Sequence, residues 1–156
     1  MKDQATVLFV DDEENILQAV RRALMDDGYS IRTTTSAGEA LSWLEKDPVQ
    51  VVVSDHRMPG MTGIEFLAKV SRKWPDTVRI ILSGQADMSA VVAAINDGGI
   101  YKFLLKPWND DELRVTIANA VTLYYLQQKV ADLAKDVNRK DEEIARLCAQ
   151  LDRDEG

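Results

Sequence analysis

The stretch VLFVDDEENIL, residues 7–17, decides the fold. It opens with apolar, β-prone residues, continues with Asp11, Asp12, Glu13 and Glu14, and then turns at once into a helical pattern. A strand that is apolar on both faces belongs inside a sheet covered on both sides. Carboxylates crowded at its end repel one another and resist losing water, so something that offsets this cost is expected there. Taken alone, the acids read equally well as a helix start, because negative charge favours the first turn. The rest of the chain decides between the two readings.

Outward from this stretch, strand and helix signals alternate. Strands are expected at 6–10, 30–35, 49–55, 78–84 and 100–106. Those at 6–10, 49–55 and 78–84 are almost wholly apolar, whereas SIRTTT at 30–35 alternates and reads as more exposed. Helices are expected at 14–25, ended by Gly28, and at 36–46, where Ser36 and Glu39 have capping-box spacing. Two more are expected at 64–74, broken by Pro75, and at 88–96, closed by Gly98 and Gly99. The alternation predicts an α/β fold, a doubly wound five-stranded parallel sheet with helices on both faces.

Composition narrows the function. The chain has 156 residues, 46% hydrophobic and 29% charged, which suits one domain plus an appendage. A net charge of −7 argues against direct nucleic-acid binding, which needs a basic footprint. No apolar run reaches the length of a membrane span, and no signal-like stretch opens the chain, so a cytoplasmic location is the default expectation. Cys148 is the only cysteine and reads as a bystander thiol. His56 is the only histidine, which makes histidine zinc sites and Ser-His-Asp catalysis poor options. It is expected to face solvent from a loop, with no role.

In a sheet of this kind the site lies at the carboxyl ends of the strands. Asp11 and Asp12 stand at the first such end, Asp55 at the third, Ser83 and Gly84 at the fourth, and Lys106 at the fifth. Three carboxylates from two strands make an oxygen-rich pocket that suits magnesium, which would offset their repulsion. Lys106 and Ser83 add groups able to hold phosphoryl oxygens. Asp55, followed by the turn residues Pro59, Gly60 and Gly63, is placed to act as a nucleophile on phosphorus.

The segments VLFVDDEE, VVVSDHRMPGMTG, RIILSGQAD and YKFLLKPW, in this order and at these strand ends, resemble the receiver domain of two-component response regulators. The resemblance covers about residues 5–121 and implies a flavodoxin-like strand order 2-1-3-4-5. It implies that Asp55 is the phosphorylated residue. It makes Asp12 a direct magnesium ligand and Asp11 an acid acting mainly through metal-bound water. Asp55 and the backbone carbonyl of Arg57 would complete the protein ligands to Mg2+. Ser83 would hydrogen-bond the phosphoryl group, and Lys106 would pair with Asp55 or that group. The Lys106–Pro107 bond is expected to be cis. Phe103 stands at the switch-aromatic position, where the family often has tyrosine, so packing alone would drive any ring swing. Arg57 and Gln85 would flank the line of attack and tune the lifetime of the phosphorylated state. The implied partner is a histidine kinase or a phosphotransfer protein.

Beyond the domain the pattern changes. Asn109 is a good N-cap, and Asp110, Asp111 and Glu112 complement the dipole of a helix running to about 153. Leu113, Ile117, Ala120 and Val121 are expected to pack on the sheet. A heptad then places Leu123, Val130, Val137, Ile144 and Leu151 at a, and Leu126, Leu133, Lys140 and Leu147 at d. β-branched residues at three a positions, with leucine at d, favour a parallel two-stranded coil and hence a homodimer, against a lone amphipathic helix folding back. The expected division is a receiver at 1–121 and a coiled-coil extension at 122–156. Lys140 at d, beside Asp136 at g facing Asp141 at e of a partner helix, is expected to be a soft spot that responds to phosphorylation. The helix is expected either to lead towards an output domain outside the chain or to be the output itself. The motif wording resembles receivers joined to cyclic di-GMP enzymes or AAA+ activators.

Three other functions compete. A phosphatase of the haloacid-dehalogenase kind uses the same residue types, but places its nucleophile on the first strand with a second acid two residues later. Asp11 and Glu13 have that spacing, yet the lone Asp55 lies on the third strand. A flavodoxin-like binder needs a Ser/Thr/Gly-rich phosphate loop where this chain has four acids. A scaffold that dimerises without phosphorylation would not need the full set of site residues. Trp108 is expected to pack between its loop and the last helix, and Trp43 and Trp74 at helix ends.

Overall fold

Alternation along the strands sorts the core into two layers. In this computed structural model, which describes residues 4–155, β1 (Thr6–Val10) sends Val7 and Phe9 to one face of the sheet and Leu8 and Val10 to the other. β3 (Val51–Asp55) and β4 (Val78–Ser83) divide in the same way, with Val51, Val53, Ile80 and Leu82 on the first face and Val52 and Ile81 on the second. This is the period of two expected of a pleated strand with no solvent face. β2 (Ser30–Thr34) is only half-buried, as its mixed sequence predicts. With β5 (Lys102–Leu105) the strands form one parallel five-stranded sheet in the order β2-β1-β3-β4-β5.

Helices cover both faces. α1 (Glu14–Leu24) brings Leu17, Val20 and Leu24 onto the Phe9 face, joined there by Leu113, Ile117 and Ala120 of α5 (Asp110–Glu155). α2 (Ala37–Lys46), α3 (Gly63–Lys73) and α4 (Met88–Asn96) cover the Leu8 face with Ala40, Leu44, Phe66, Leu67, Val70 and Val91. Their starts follow local chemistry. Ser36 Oγ accepts from the N–H of Glu39 at 3.2 Å, Thr62 Oγ1 from Glu65 at 3.2 Å, and Asn109 Oδ1 from Glu112 at 2.7 Å. Trp108 packs on the Phe9 side, and Trp43 and Trp74 on the Leu8 side.

Contacts divide the chain into two units, Met1–Tyr124 and Tyr125–Gly156. Leu123 and Tyr124 pack against the Phe9-side core, so the first unit runs on past residue 121 to Tyr124. Leu123, which the heptad assigns to the coil, is here partly buried against the core. In the second unit, Leu126, Val130, Leu133, Val137, Ile144, Leu147 and Leu151 are between 54% and 65% exposed. They form an apolar stripe along the helix, interrupted at Lys140. No helix among the described residues is long and apolar enough to cross a membrane.

Candidate functional site

The sheet ends β1, β3, β4 and β5 deliver side chains from far apart in sequence to one edge. Register sets the levels: Val10 pairs with Ser54, Asp55 with Leu82, and Ser83 with Leu105. Asp55 is therefore the last residue of a fully buried strand, 6% exposed. Asp11 follows β1 directly and is 1% exposed, while Asp12 is exposed. The N–H of Lys106 donates to Ser83 O at 2.9 Å, which ties the residue after β5 to the end of β4. The Lys106–Pro107 peptide is cis.

Lys106 is the cation of this cluster. Its Nζ donates to Asp55 Oδ1 at 2.8 Å and lies 3.6 Å from Asp11 Oδ2. Burial works against the lysine charge, but the hydrogen bond to Asp55 and the field of Asp11 outweigh it and raise its pKa. Asp11 shows the opposite balance. Burial pushes its carboxyl up to about 6, against the Glu13 N–H that Oδ1 accepts at 2.9 Å, and the neighbouring Asp55 charge adds to the rise. One cation serves three acids, so the cluster carries excess negative charge.

One oxygen from each of Asp11, Asp12 and Asp55 lies within 4.8 Å of the others. Asp11 Oδ2 is buried without a hydrogen-bond partner, a costly state for a carboxylate oxygen. An orphaned oxygen in an all-oxygen set fits a hard divalent cation, which is bound by a few carboxylates and otherwise keeps its water. The opening run of acids divides as the helix boundary requires. Asp11 and Asp12 face the cluster, Glu13 occupies the N-cap position of α1, and Glu14 lies in its first turn.

Asp12, Asp55, Arg57, Gln85, Asp87 and Lys106 are among the residues that line a cavity of about 450 Å³. Ser83 lies at the same edge but is buried, and its hydroxyl donates to Gly84 O at 2.9 Å. Phe103, opposite Ile81 in register, is half-buried and packs with the Leu8-side core.

Three features escape a reading of the sequence. Gly63 is more than a turn residue: a Cβ there would lie 2.2 Å from Asp55 O and 2.8 Å from His56 Cα, so only glycine lets α3 start against the end of β3. Its N–H donates to His56 O at 2.7 Å. His56 does not simply face solvent. It is half-buried, its N–H donates to Leu82 O at 3.0 Å, and its Nδ1 is buried without a partner. The reason is that the residue after Asp55 continues the β3–β4 ladder before the loop turns away. Arg57, finally, makes a bidentate pair with Asp87, Nε to Oδ2 at 2.9 Å and Nη2 to Oδ1 at 3.1 Å. Asp87 stands in SGQAD, yet nothing in the sequence joins it to a residue in another loop.

Comparison with known proteins agrees with this geometry. Residues 7–118 match the family described as the response regulator receiver domain. The chain is 47% identical over 124 residues to the hydrogenase transcriptional regulatory protein HoxA of Cupriavidus necator, covering 80% of this chain and 26% of that protein. It is 37% identical over 149 residues to the HoxA of Bradyrhizobium diazoefficiens, covering 96% and 30%. The chain thus spans between a quarter and a third of the length of these relatives. It is also similar to the signal receiver domain of an HD domain-containing protein from Pseudomonas fluorescens, with a TM-score of 0.78 and 32% identity over 83% of this chain and 95% of that one. The chain belongs to the response regulator receiver domain family.

Proposed function

We propose that Asp55 is the phosphoacceptor of a signalling switch, charged by a histidine kinase or a phosphotransfer protein. The observation that carries this reading is the 2.8 Å contact of Lys106 Nζ with Asp55 Oδ1 inside a cluster of three carboxylates. A carboxylate oxygen of Asp55 forms a bond to the donor's phosphorus as the P–N bond to the donor imidazole breaks. The imidazole leaves with the electron pair of that bond and takes a proton from water. Lys106 neutralises Asp55 before transfer and holds phosphoryl oxygens afterwards. Ser83 exchanges its bond to the Gly84 carbonyl for one to the phosphoryl group. Asp11, Asp12, Asp55 and the backbone carbonyl of Arg57 would hold Mg2+, which when bound neutralises charge on the transferring group. Phe103 has no hydroxyl, so its response to phosphorylation runs through packing alone. The chemistry of the chain is limited to its own phosphorylation and dephosphorylation.

The reading extends to assembly. The exposed heptad stripe from Leu126 to Leu151 supports a parallel coiled coil with a second copy. The curated relatives are transcriptional regulators by name, which favours a transcriptional output over a cyclic di-GMP enzyme.

The test is incubation with acetyl phosphate and magnesium, followed by intact mass. A gain of one phosphoryl group that vanishes in Asp55→Asn is expected. Catalytic turnover of a simple phosphate ester would instead indicate a phosphatase.

A further inference from the structure

The Arg57–Asp87 ion pair, 2.9 Å from Nε to Oδ2, lies in the wall of the cavity that also holds Asp55. Arg57 lies in the loop after β3, and Asp87 ends the single 3₁₀ turn Gln85–Asp87 that leads into α4. Both residues line the Asp55 cavity. The Arg57 side chain is 74% exposed and that of Asp87 18%, so the guanidinium is reachable from the cavity while its anchor is partly sheltered. Asp87 occupies the N-cap position of α4, and aspartate is among the best capping residues. Its carboxylate makes no cap hydrogen bond, and each of its oxygens is paired instead with the Arg57 guanidinium. The Arg57 hydrogen bonds hold the Asp87 carboxyl below the usual carboxylate range, and the field of Asp55 already acts on Arg57.

A guanidinium fork matches carboxylate and phosphoryl oxygens equally well. A phosphoryl group on Asp55 adds acceptor oxygens and about one to two further negative charges to the same cavity. It therefore competes with Asp87 for one cation. We propose that Asp87 is a positioning residue that holds the Arg57 guanidinium at the cavity wall, and that a phosphoryl group on Asp55 draws that guanidinium away and frees the Asp87 carboxylate at the N-cap of α4. This rests on the phosphoacceptor reading of Asp55. It makes the start of α4 sensitive to the charge on Asp55 through an exchange of salt bridges, separate from Ser83 and Phe103. Phosphoryl binding must then be weakened by the need to break the Arg57–Asp87 pair, and the penalty must disappear when either partner is removed.

A double-mutant cycle on the full chain tests this, with beryllofluoride as the phosphoryl mimic at saturating magnesium and affinity read by titration. Asp87→Ala tightens binding about threefold or more when Arg57 is present, a size expected for directly coupled neighbours. In an Arg57→Ala background the same change has a markedly smaller effect. Removal of a nearby negative charge, or a merely structural role for Asp87, would act alike in both backgrounds. Equal effects in the two backgrounds, or weaker binding on Asp87→Ala, overturn the latch alone. No beryllofluoride binding by the unaltered protein overturns the phosphoacceptor reading and the latch together.

Discussion

Lys106 Nζ sits 2.8 Å from Asp55 Oδ1, although 51 residues separate the two in sequence. The contact joins the ends of two strands that are not adjacent in the sheet, since β4 lies between β3 and β5. It places a fixed positive charge where a hard cation would also be drawn.

Lys106 and a divalent cation therefore compete for the same carboxylates. Lys106→Met is expected to tighten magnesium binding about tenfold, as removal of one nearby charge at a partly screened site suggests. Isothermal titration measures this directly. Weaker binding in the variant would mean that Lys106 organises the acids more than it repels the metal.

Asp11 has its pKa raised from 3.8 to about 6 by burial. Its folded state holds the proton more tightly than the unfolded chain does. The associated stability is present below about pH 4 and is lost as pH rises through 6. Asp11→Asn should therefore match the unaltered protein in metal-free buffer near pH 4 and exceed it by up to about 3 kcal/mol above pH 6. Urea unfolding in chelator across this range gives the answer. A difference that does not change with pH would contradict it.

Gly63→Ala forces a methyl group into the backbone of Asp55 and His56. The expected cost is about 2–3 kcal/mol, the upper part of the range usual for overpacking, and a lower melting temperature should report it. Because the clash falls on the acceptor strand, phosphorylation by acetyl phosphate should slow as well. An unchanged melt would show that α3 can shift away at little cost.

The heptad stripe makes a prediction about assembly. Light scattering on the full chain should report a dimer, and a version ending at Tyr124 should be a folded monomer. The cut belongs after Tyr124 because Leu123 and Tyr124 pack against the core. Lys140→Leu should raise the melting temperature of the helical extension and blunt its response to phosphorylation. A variant with unchanged melting and response would remove the soft spot at Lys140.

Much of this was legible in the chain itself. Buried strands announce themselves because a sheet covered on both faces tolerates few polar residues, so TVLFV, VVVSD and VRIILS stand out. Asp11, Asp12, Asp55 and Lys106 follow, because strand ends in such a sheet share one edge. The end of the core was less legible. Leu123 fits the heptad and the edge of the domain core equally well, and only the fold shows that it packs against that core.

The order of elements, the two-sided core and the residues at the strand ends were written into the chain, because all of them depend on short-range periodicity and on turns. The pairings between loops came from the folded arrangement alone. Arg57 reaches Asp87 across 30 residues, Gly63 admits the Asp55 carbonyl, and Asp11 Oδ2 is left buried without a hydrogen-bond partner. Each depends on where two backbones pass in space, and no periodicity along the chain encodes such a distance.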